Sequence, residues 1–231
     1  MNTGSLPPGW HGKLPSLGDF ASRRLDSSFI DPWDAWLSSG LLALSESQPD
    51  AWLQDYLASP SWCFLIMPGA LPGTAGVQAW AGVLMPSVDR VGRYFPFTLA
   101  LALGVGPAST AQMPVLWAWL ARLDELARDA LYDDWTVDRL ELELARLPGH
   151  GMAAMPPPQA GTVAGFELAC GSGLDAATHI GIQAQRAWAA QAHGRVWWQA
   201  RPDGAPARLR VSRGLPPAAA MAHLLGAAAT I

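Results

Sequence analysis

Charged side chains are scarce in this sequence: they make up 15% of the 231 residues, while hydrophobic residues make up 50%. This composition excludes a disordered, solvating polymer and favours a compact globular protein. A basic excess is also missing, because 15 Lys and Arg stand against 19 Asp and Glu, which leaves a net charge of -4. The chain therefore has no electrostatic footprint for nucleic acid or for an anionic membrane, and we expect neither as a partner.

Cysteine is equally scarce, with Cys63 and Cys170 far apart in the sequence. Two isolated cysteines neither build a disulfide framework nor match a metal-binding spacing. The five histidines are scattered without ligand spacing, so we expect no metal site. The first 15 residues lack the apolar core of a secretory signal, and the Ala-rich C-terminal run is shorter than the ~20 residues of a membrane span. The sequence therefore predicts a cytoplasmic protein without membrane insertion.

Common catalytic signatures are absent too, since the sequence has no P-loop, no H-E-x-x-H and no G-x-S-x-G. Residues 171–176 fit the pattern G-x-G-x-x-A, but no acidic residue follows about 20 positions later to hold a ribose. A Gly-rich turn is the favoured interpretation, and we expect no cofactor. Ser87 and Asp89 with a distant histidine would suit a hydrolase, because triads are recognised by geometry. A small-molecule hydrolase or nucleotide-dependent enzyme that uses the 87–93 loop is therefore the alternative function.

Apolar patterns predict an α/β protein in which helices cover both sides of a sheet. Apolar side chains recur at helical spacing from Phe29 to Leu44, and 113–149 has the pattern of two amphipathic helices. Continuous apolar runs between them are typical of strands buried on both faces. The predicted strands are 61–67, 77–85, 94–103, 166–170, 195–200 and 207–211, and further helices are predicted around 175–190 and at the C-terminal end.

The stretch at 148–162 is rich in Gly and Pro and is predicted as a loop excursion. The part of the chain after it is too small to hold a core of its own, so we expect a single domain over residues 1–231. The predicted fold is a mixed sheet of about five to six strands within that domain.

Two stretches carry charges that core packing does not explain. The first motif, GWHGKLPSLGDFASRRL, covers residues 9–25 and holds the only lysine of the chain; the second, PSVDRVGRYFPFT, covers 86–98 and lies between apolar runs. The charged candidate residues of the two motifs are Lys13, Asp19, Arg23, Arg24, Asp89, Arg90 and Arg93.

At these motifs the sequence resembles the TagF family, also called ImpM, which is associated with bacterial type VI secretion. The family's first pattern is an aromatic residue, G-K-L-P, G-D-F and a basic pair; its second is P-S-V-D-R-V-G-R-Y-F-P-hydrophobic-T, and Phe97 stands here where Leu is expected. The matching positions are Trp10, 12–15, 18–20, Arg23, Arg24 and 86–98, followed more weakly by Trp33, Asp34, Trp36, Leu37, Trp197, Trp198 and 214–216.

This resemblance implies a non-catalytic, post-translational repressor of type VI secretion. Such a protein is expected to bind and sequester a component of the system, and the partner that the resemblance implies is the forkhead-associated scaffold protein. The family fold that it implies is a three-layer α/β/α sandwich, which agrees with the order of predicted helices and strands.

The charged residues of the motifs have two interpretations, which both stay open. Residues 89–94 are predicted to connect two adjacent strands, with Gly92 supplying a backbone conformation that other residues resist. An ion pair from Arg93 or Arg90 to Asp19 would fasten the irregular first 25 residues to the sheet. An Arg fork near aromatic side chains is also typical of interfaces. The seven residues are therefore predicted to stabilise the motifs or to bind the partner.

Overall fold

A computed structural model describes residues 6–104, 106–107, 112–147, 188–200 and 207–226. Seven strands in these ranges form one sheet: β1 (Gly9–Gly12), β2 (Ala21–Arg23), β3 (Trp62–Ile66), β4 (Trp80–Met85), β5 (Phe97–Ala102), β6 (Arg195–Ala200) and β7 (Arg208–Arg213). The helices are α1 (Ser27–Ser47), α2 (Trp52–Leu57), α3 (Met113–Tyr132), α4 (Val137–Arg146) and α5 (Ala222–Leu225), with 3₁₀ turns at Gly73–Val77 and Ala218–Ala220.

The sheet has the order β2-β1-β5-β4-β3-β6-β7, and every neighbouring pair is antiparallel. The predicted α/β class is confirmed, but the prediction of a mixed sheet of five to six strands is wrong, since the described sheet has seven strands and only antiparallel pairs. No α-helix separates β3, β4 and β5 in sequence, so these strands return directly beside one another instead of crossing over in parallel. The loop predicted at 148–162, the strand predicted at 166–170 and most of the helix predicted around 175–190 lie outside the described residues, and a single domain over 1–231 stays a prediction.

The sequence missed β1 and β2 because their composition is unlike that of strands. β1 is only four residues long and begins and ends with glycine. A Cβ atom at Gly12 would collide with the carbonyl oxygen of Pro96, and one at Gly9 would lie 2.7 Å from the carbonyl oxygen of Arg23. Glycine is thus required where β1 passes between its two neighbours, although glycine normally indicates a turn.

Helices pack on both faces of the sheet, which explains the continuous apolar strands. On β3, Trp62 and Phe64 face a core built around α1, whereas Leu65 faces a second core built around α3 and α4. Successive strand residues point to opposite faces, so a strand covered on both sides is apolar at every position. Among the helices that the structure describes, none combines the length and apolar character that a membrane crossing needs.

Three tryptophans connect these layers through their indole N–H groups. Trp33 Nε1 donates to Thr98 Oγ1 at 2.9 Å, which joins α1 to β5. Trp36 Nε1 donates to the Pro216 carbonyl and Trp62 Nε1 to the Leu224 carbonyl, both at 2.7 Å. A buried indole needs such a partner, so the C-terminal segment is fastened over the α1 face at two defined points.

Gly82 in the central strand β4 offers a test of this packing. A Cβ atom there would collide with the Leu99 carbonyl oxygen and lie 2.6 Å from the Phe64 ring, so Gly82→Ala should destabilise the protein by about 1–3 kcal/mol. Gly18→Ala is the matched control, because nothing lies within 4 Å of its added Cβ. Urea unfolding measures both variants, and equal midpoints for the two would contradict the close approach of β4 and β5.

Candidate functional site

A buried carboxylate joins the two sequence motifs. Asp89 is 3% exposed and lies between β4 and β5, in the loop that the second motif forms. Its Oδ2 accepts hydrogen bonds from Lys13 Nζ at 2.7 Å and from Arg93 Nε at 2.8 Å. Its Oδ1 accepts from the backbone N–H groups of Val91 and Arg93, at 3.0 and 2.9 Å. Both oxygens are therefore engaged, one with the side chains of the two motifs and the other with its own loop.

These contacts keep Asp89 ionised. Burial alone would raise the pKa of the carboxyl, but the hydrogen bonds from Lys13, Arg93 and Val91 outweigh it and hold the pKa well below its usual range. Lys13 is itself buried, with its side chain 4% exposed, so the two opposite charges neutralise each other away from water. A buried pair of this kind is stable only while both partners are present.

Arg93 extends the link from the buried carboxylate to the surface. Its Nη2 donates to the Gly18 carbonyl and lies 3.5 Å from Asp19 Oδ1, while its side chain is half-exposed. The backbone N–H of Arg90 donates to the Leu17 carbonyl at 2.9 Å, which adds a second connection between the loops. Gly92 has a φ of 83°, so the left-handed conformation that the sequence predicts there is present. The loop of the second motif is therefore fastened to residues 17–19 of the first.

The base of this loop is fixed by a tyrosine that the sequence analysis missed. The Tyr56 hydroxyl donates to the Ser87 carbonyl at 3.0 Å and accepts from the Ser87 N–H at 2.8 Å. Ser87 Oγ in turn donates to the Lys13 carbonyl at 2.7 Å. Burial raises the pKa of Tyr56, so its hydroxyl stays protonated as this double hydrogen bond requires. No sequence signal connects Tyr56, which lies on α2, with residue 87.

The remaining basic pair of the first motif belongs to a separate cluster on the α4 side. Arg24 forms a bidentate ion pair with Glu141 of α4 and donates to the Pro8 carbonyl from Nε and Nη2. Trp10 Nε1 donates to Glu141 Oε1 at 2.6 Å, and the guanidinium carbon of Arg23 lies 6.0 Å from the centre of the Trp10 ring. The structure thus separates Arg23 and Arg24 from Asp89 and its partners Lys13, Val91 and Arg93, which we call the Asp89 cluster.

Glu141 is ionised by its surroundings. Partial burial would raise its pKa, but hydrogen bonds from Arg24 and Trp10, together with the charge of Arg23, lower it below the usual value. Sequence reasoning had no means to find this residue, because Glu141 is one of several charged positions along an amphipathic helix. Its pairing depends on how α4 packs against β1, which only the tertiary structure determines.

The two motifs also present exposed side chains. Phe20 is 47% and Val91 64% exposed, and the Arg90 side chain is exposed without an ion pair to any described residue. Phe20 packs edge-on against Phe95 at 4.8 Å and lies over Lys13 Nζ at 4.9 Å, so the ring is held in place. We call the exposed side chains of Asp19, Phe20, Arg90, Val91 and Arg93 the motif face.

Ser87 and Asp89 are positioned as structural groups. Each of their polar side-chain atoms is already hydrogen-bonded within the protein, and the lowered pKa makes the Asp89 carboxylate a weak proton acceptor. Within the described ranges, no three His, Cys, Asp or Glu side chains come together as a metal site would require.

The sheet with helices on both faces, and the two loops joined through Asp89, define an α/β protein that presents a braced surface. Residues 9–147 match the model of the TagF N-terminal domain, which is described as associated with the type VI secretion system. The chain is also similar to the crystal structure of PA0076 from Pseudomonas aeruginosa PAO1, with 34% identity, a TM-score of 0.75, and coverage of 97% of this chain and 96% of that one. No curated protein matches it. This chain therefore belongs to the TagF family, and the resemblance carried by its two motifs is confirmed.

Removing the buried lysine tests the Asp89 cluster. Lys13→Met keeps the volume but leaves Asp89 buried without its main counter-charge, so the melting temperature should fall by about 6 °C or more. Arg93→Gln should cause a smaller fall because Arg93 is half-exposed, and Arg90→Gln should shift it by no more than about 2 °C. Calorimetry measures the melting temperatures of the three variants and the wild type. A Lys13→Met protein with the melting temperature of the wild type would contradict the proposed ion pair between Lys13 and Asp89.

Acid should weaken the same cluster. The folded pKa of Asp89 lies below the value of about 4 in an unfolded chain, so its stabilisation is complete above that pH and is lost as the pH falls toward the folded pKa. Between pH 6 and pH 3 the urea midpoint of Asp89→Asn should therefore fall less than that of the wild type, although it starts lower. The exposed Asp50→Asn variant is the control and should follow the wild type; equal pH dependence in all three proteins would refute the assignment.

Proposed function

We propose that this protein regulates type VI secretion without catalysis, by binding another protein through the motif face. The partner that we propose is the forkhead-associated scaffold of the system, and the proposed consequence is repression, because the bound scaffold is withheld from assembly. The family match supports the association with type VI secretion. The scaffold and the repression are what the resemblance of the two motifs to TagF proteins implies, and we expect binding to take place in the cytoplasm.

The observation that carries the proposal is the contrast between the hydrogen-bonded groups beneath the motif face and the exposed side chains on it. Below the motif face, the Asp89 oxygens and the Tyr56 hydroxyl make two or more hydrogen bonds each. Above it, Phe20, Val91 and Arg90 leave apolar surface and a guanidinium exposed to water. A preorganised surface loses little conformational entropy when it binds, so its contacts contribute more fully to affinity.

The composition of the motif face suits a protein partner. Aromatic and arginine side chains contribute most of the energy at interfaces, and the motif face holds one of each kind exposed, Phe20 and Arg90. The Phe20 ring is already fixed between Phe95 and Lys13, so a partner would gain apolar contact without first ordering it. Arg90 is the one outward charge of this face without an ion pair among the described residues, which favours an acidic group opposite it.

Surface variants that spare the brace test this proposal. Arg90→Glu combined with Val91→Ser changes two exposed side chains and retains the Val91 N–H that Asp89 binds. It should weaken binding of the purified scaffold protein at least tenfold, as titration calorimetry measures it. Arg122→Glu with Tyr132→Ser on α3 is the matched control, since both positions are exposed, and should stay within about twofold of the wild type.

The outcomes separate the parts of the proposal. Unchanged affinity in a folded Arg90→Glu, Val91→Ser protein would mean that the scaffold binds elsewhere. No binding by the wild-type protein would remove the scaffold as the partner. Secretion that stays repressed in cells carrying the double variant, despite lost binding, would refute repression by sequestration.

A further inference from the structure

Two arginines face each other at the edge of the sheet remote from the motif face. Arg195 in β6 and Arg213 in β7 are direct partners in the antiparallel register, and both are exposed. Neither forms an ion pair with any residue that the structure describes. Like charges directly opposite each other on neighbouring strands repel. This pair is therefore a local excess of positive charge on a chain whose net charge is -4.

The pair lines an open cleft of about 400 Å³ together with Ala190, Gln191 and His193, and none of these lining residues is acidic. The Nε of Arg195 donates to the Gln191 carbonyl at 2.8 Å, which directs the guanidinium and leaves its two terminal nitrogens for a ligand. The cleft volume lies within the range of sites for small molecules.

The backbone around the cleft is fixed in advance. His193 packs against Gly69, whose φ is 85° and where any Cβ atom would collide with the imidazole. Gly194 N–H donates to the Pro68 carbonyl at 2.7 Å, and Gly214 N–H donates to the Gly194 carbonyl at 2.7 Å. The segments that carry the imidazole and both guanidinium groups are therefore joined directly to one another, so the donors do not have to be assembled when a ligand arrives.

We propose that this cleft binds the phosphoryl group of a small molecule, either free phosphate or a small phosphate ester. A dianion between Arg195 and Arg213 would replace their repulsion by two charge-assisted contacts, and a guanidinium can present paired N–H donors to phosphate oxygens. His193 adds a further donor at the cleft. Two forks and an imidazole offer more donors than the two oxygens of a carboxylate accept, which favours a tetrahedral phosphate. This site is independent of the motif face and of the proposed partner.

Phosphate titration of the full chain tests the site. Inorganic phosphate, compared with chloride at equal ionic strength, should bind saturably and raise the melting temperature by about 3–6 °C at ten times its dissociation constant. Arg213→Gln breaks no hydrogen bond of the described residues, so it should melt no lower than the wild type without phosphate yet bind phosphate at least tenfold more weakly. Arg90→Gln, which removes another exposed unpaired arginine, should keep the full response.

Adenosine monophosphate, used beside inorganic phosphate, distinguishes the two sources. Tighter binding of the nucleotide would assign the site to a phosphate ester, and tighter binding of phosphate would assign it to the free ion. Absence of a saturable response to both probes would overturn the proposal. A response that Arg213→Gln retains in full would also overturn it, because the ion would then bind elsewhere.

Discussion

The buried ion pair between Lys13 and Asp89 is the contact on which the N-terminal part of this protein depends. It connects residues that are 76 positions apart. It thereby joins the loop that follows β1 to the loop that precedes β5, at the end where these two strands pair. The choice of residue types follows from the geometry. Lys13, the only lysine of the chain, places a compact ammonium in a space closed to water, whereas the planar guanidinium of Arg93 reaches from the buried carboxylate to the exposed Gly18 carbonyl.

The order of strands explains why the two motifs form one surface. β1 pairs with β5, so the first motif lies beside the end of the loop that precedes β5. The Asp89 cluster holds that loop on one side of the strands, and the Arg24–Glu141 pair holds β2 and α4 on the other. These two sets of contacts lie beneath the exposed side chains of Phe20, Arg90 and Val91. The cleft lined by Arg195 and Arg213 lies at the β6–β7 edge, so the proposed protein partner and the proposed phosphate bind at separate sites.

Sequence patterns predicted the parts of the fold that burial determines. The apolar spacing of α1 and α3 and the continuous runs of β3 and β4 follow from layers that exclude water, and a periodicity records this directly. β1 was missed because close backbone approach requires glycine at both of its ends, and glycine in a sequence normally indicates a turn. β2 was missed because it is only three residues long. Sheet direction was mispredicted because apolar runs carry no information about the direction of their neighbours.

The candidate site was predictable only in part. The sequence selected Lys13, Asp89 and Arg93 because charges are scarce around them, and it anticipated a contact between Arg93 and Asp19, which lie 3.5 Å apart. It did not anticipate that Lys13 and Asp89 would be buried together, because a motif rich in Gly and Pro suggests an exposed loop. The roles of Tyr56 and Glu141 could not be predicted from the sequence, because each contacts the motifs through tertiary packing between distant segments.

Native-state hydrogen exchange at single residues tests the central claim most directly, because two amides of the second motif donate to the buried Asp89 oxygen. The account predicts that the Val91 and Arg93 amides, although their side chains are exposed, exchange at least a hundredfold more slowly than in an unstructured peptide. Exchange of both amides within about tenfold of the unstructured rate would show that the loop opens freely and that the carboxylate does not brace it.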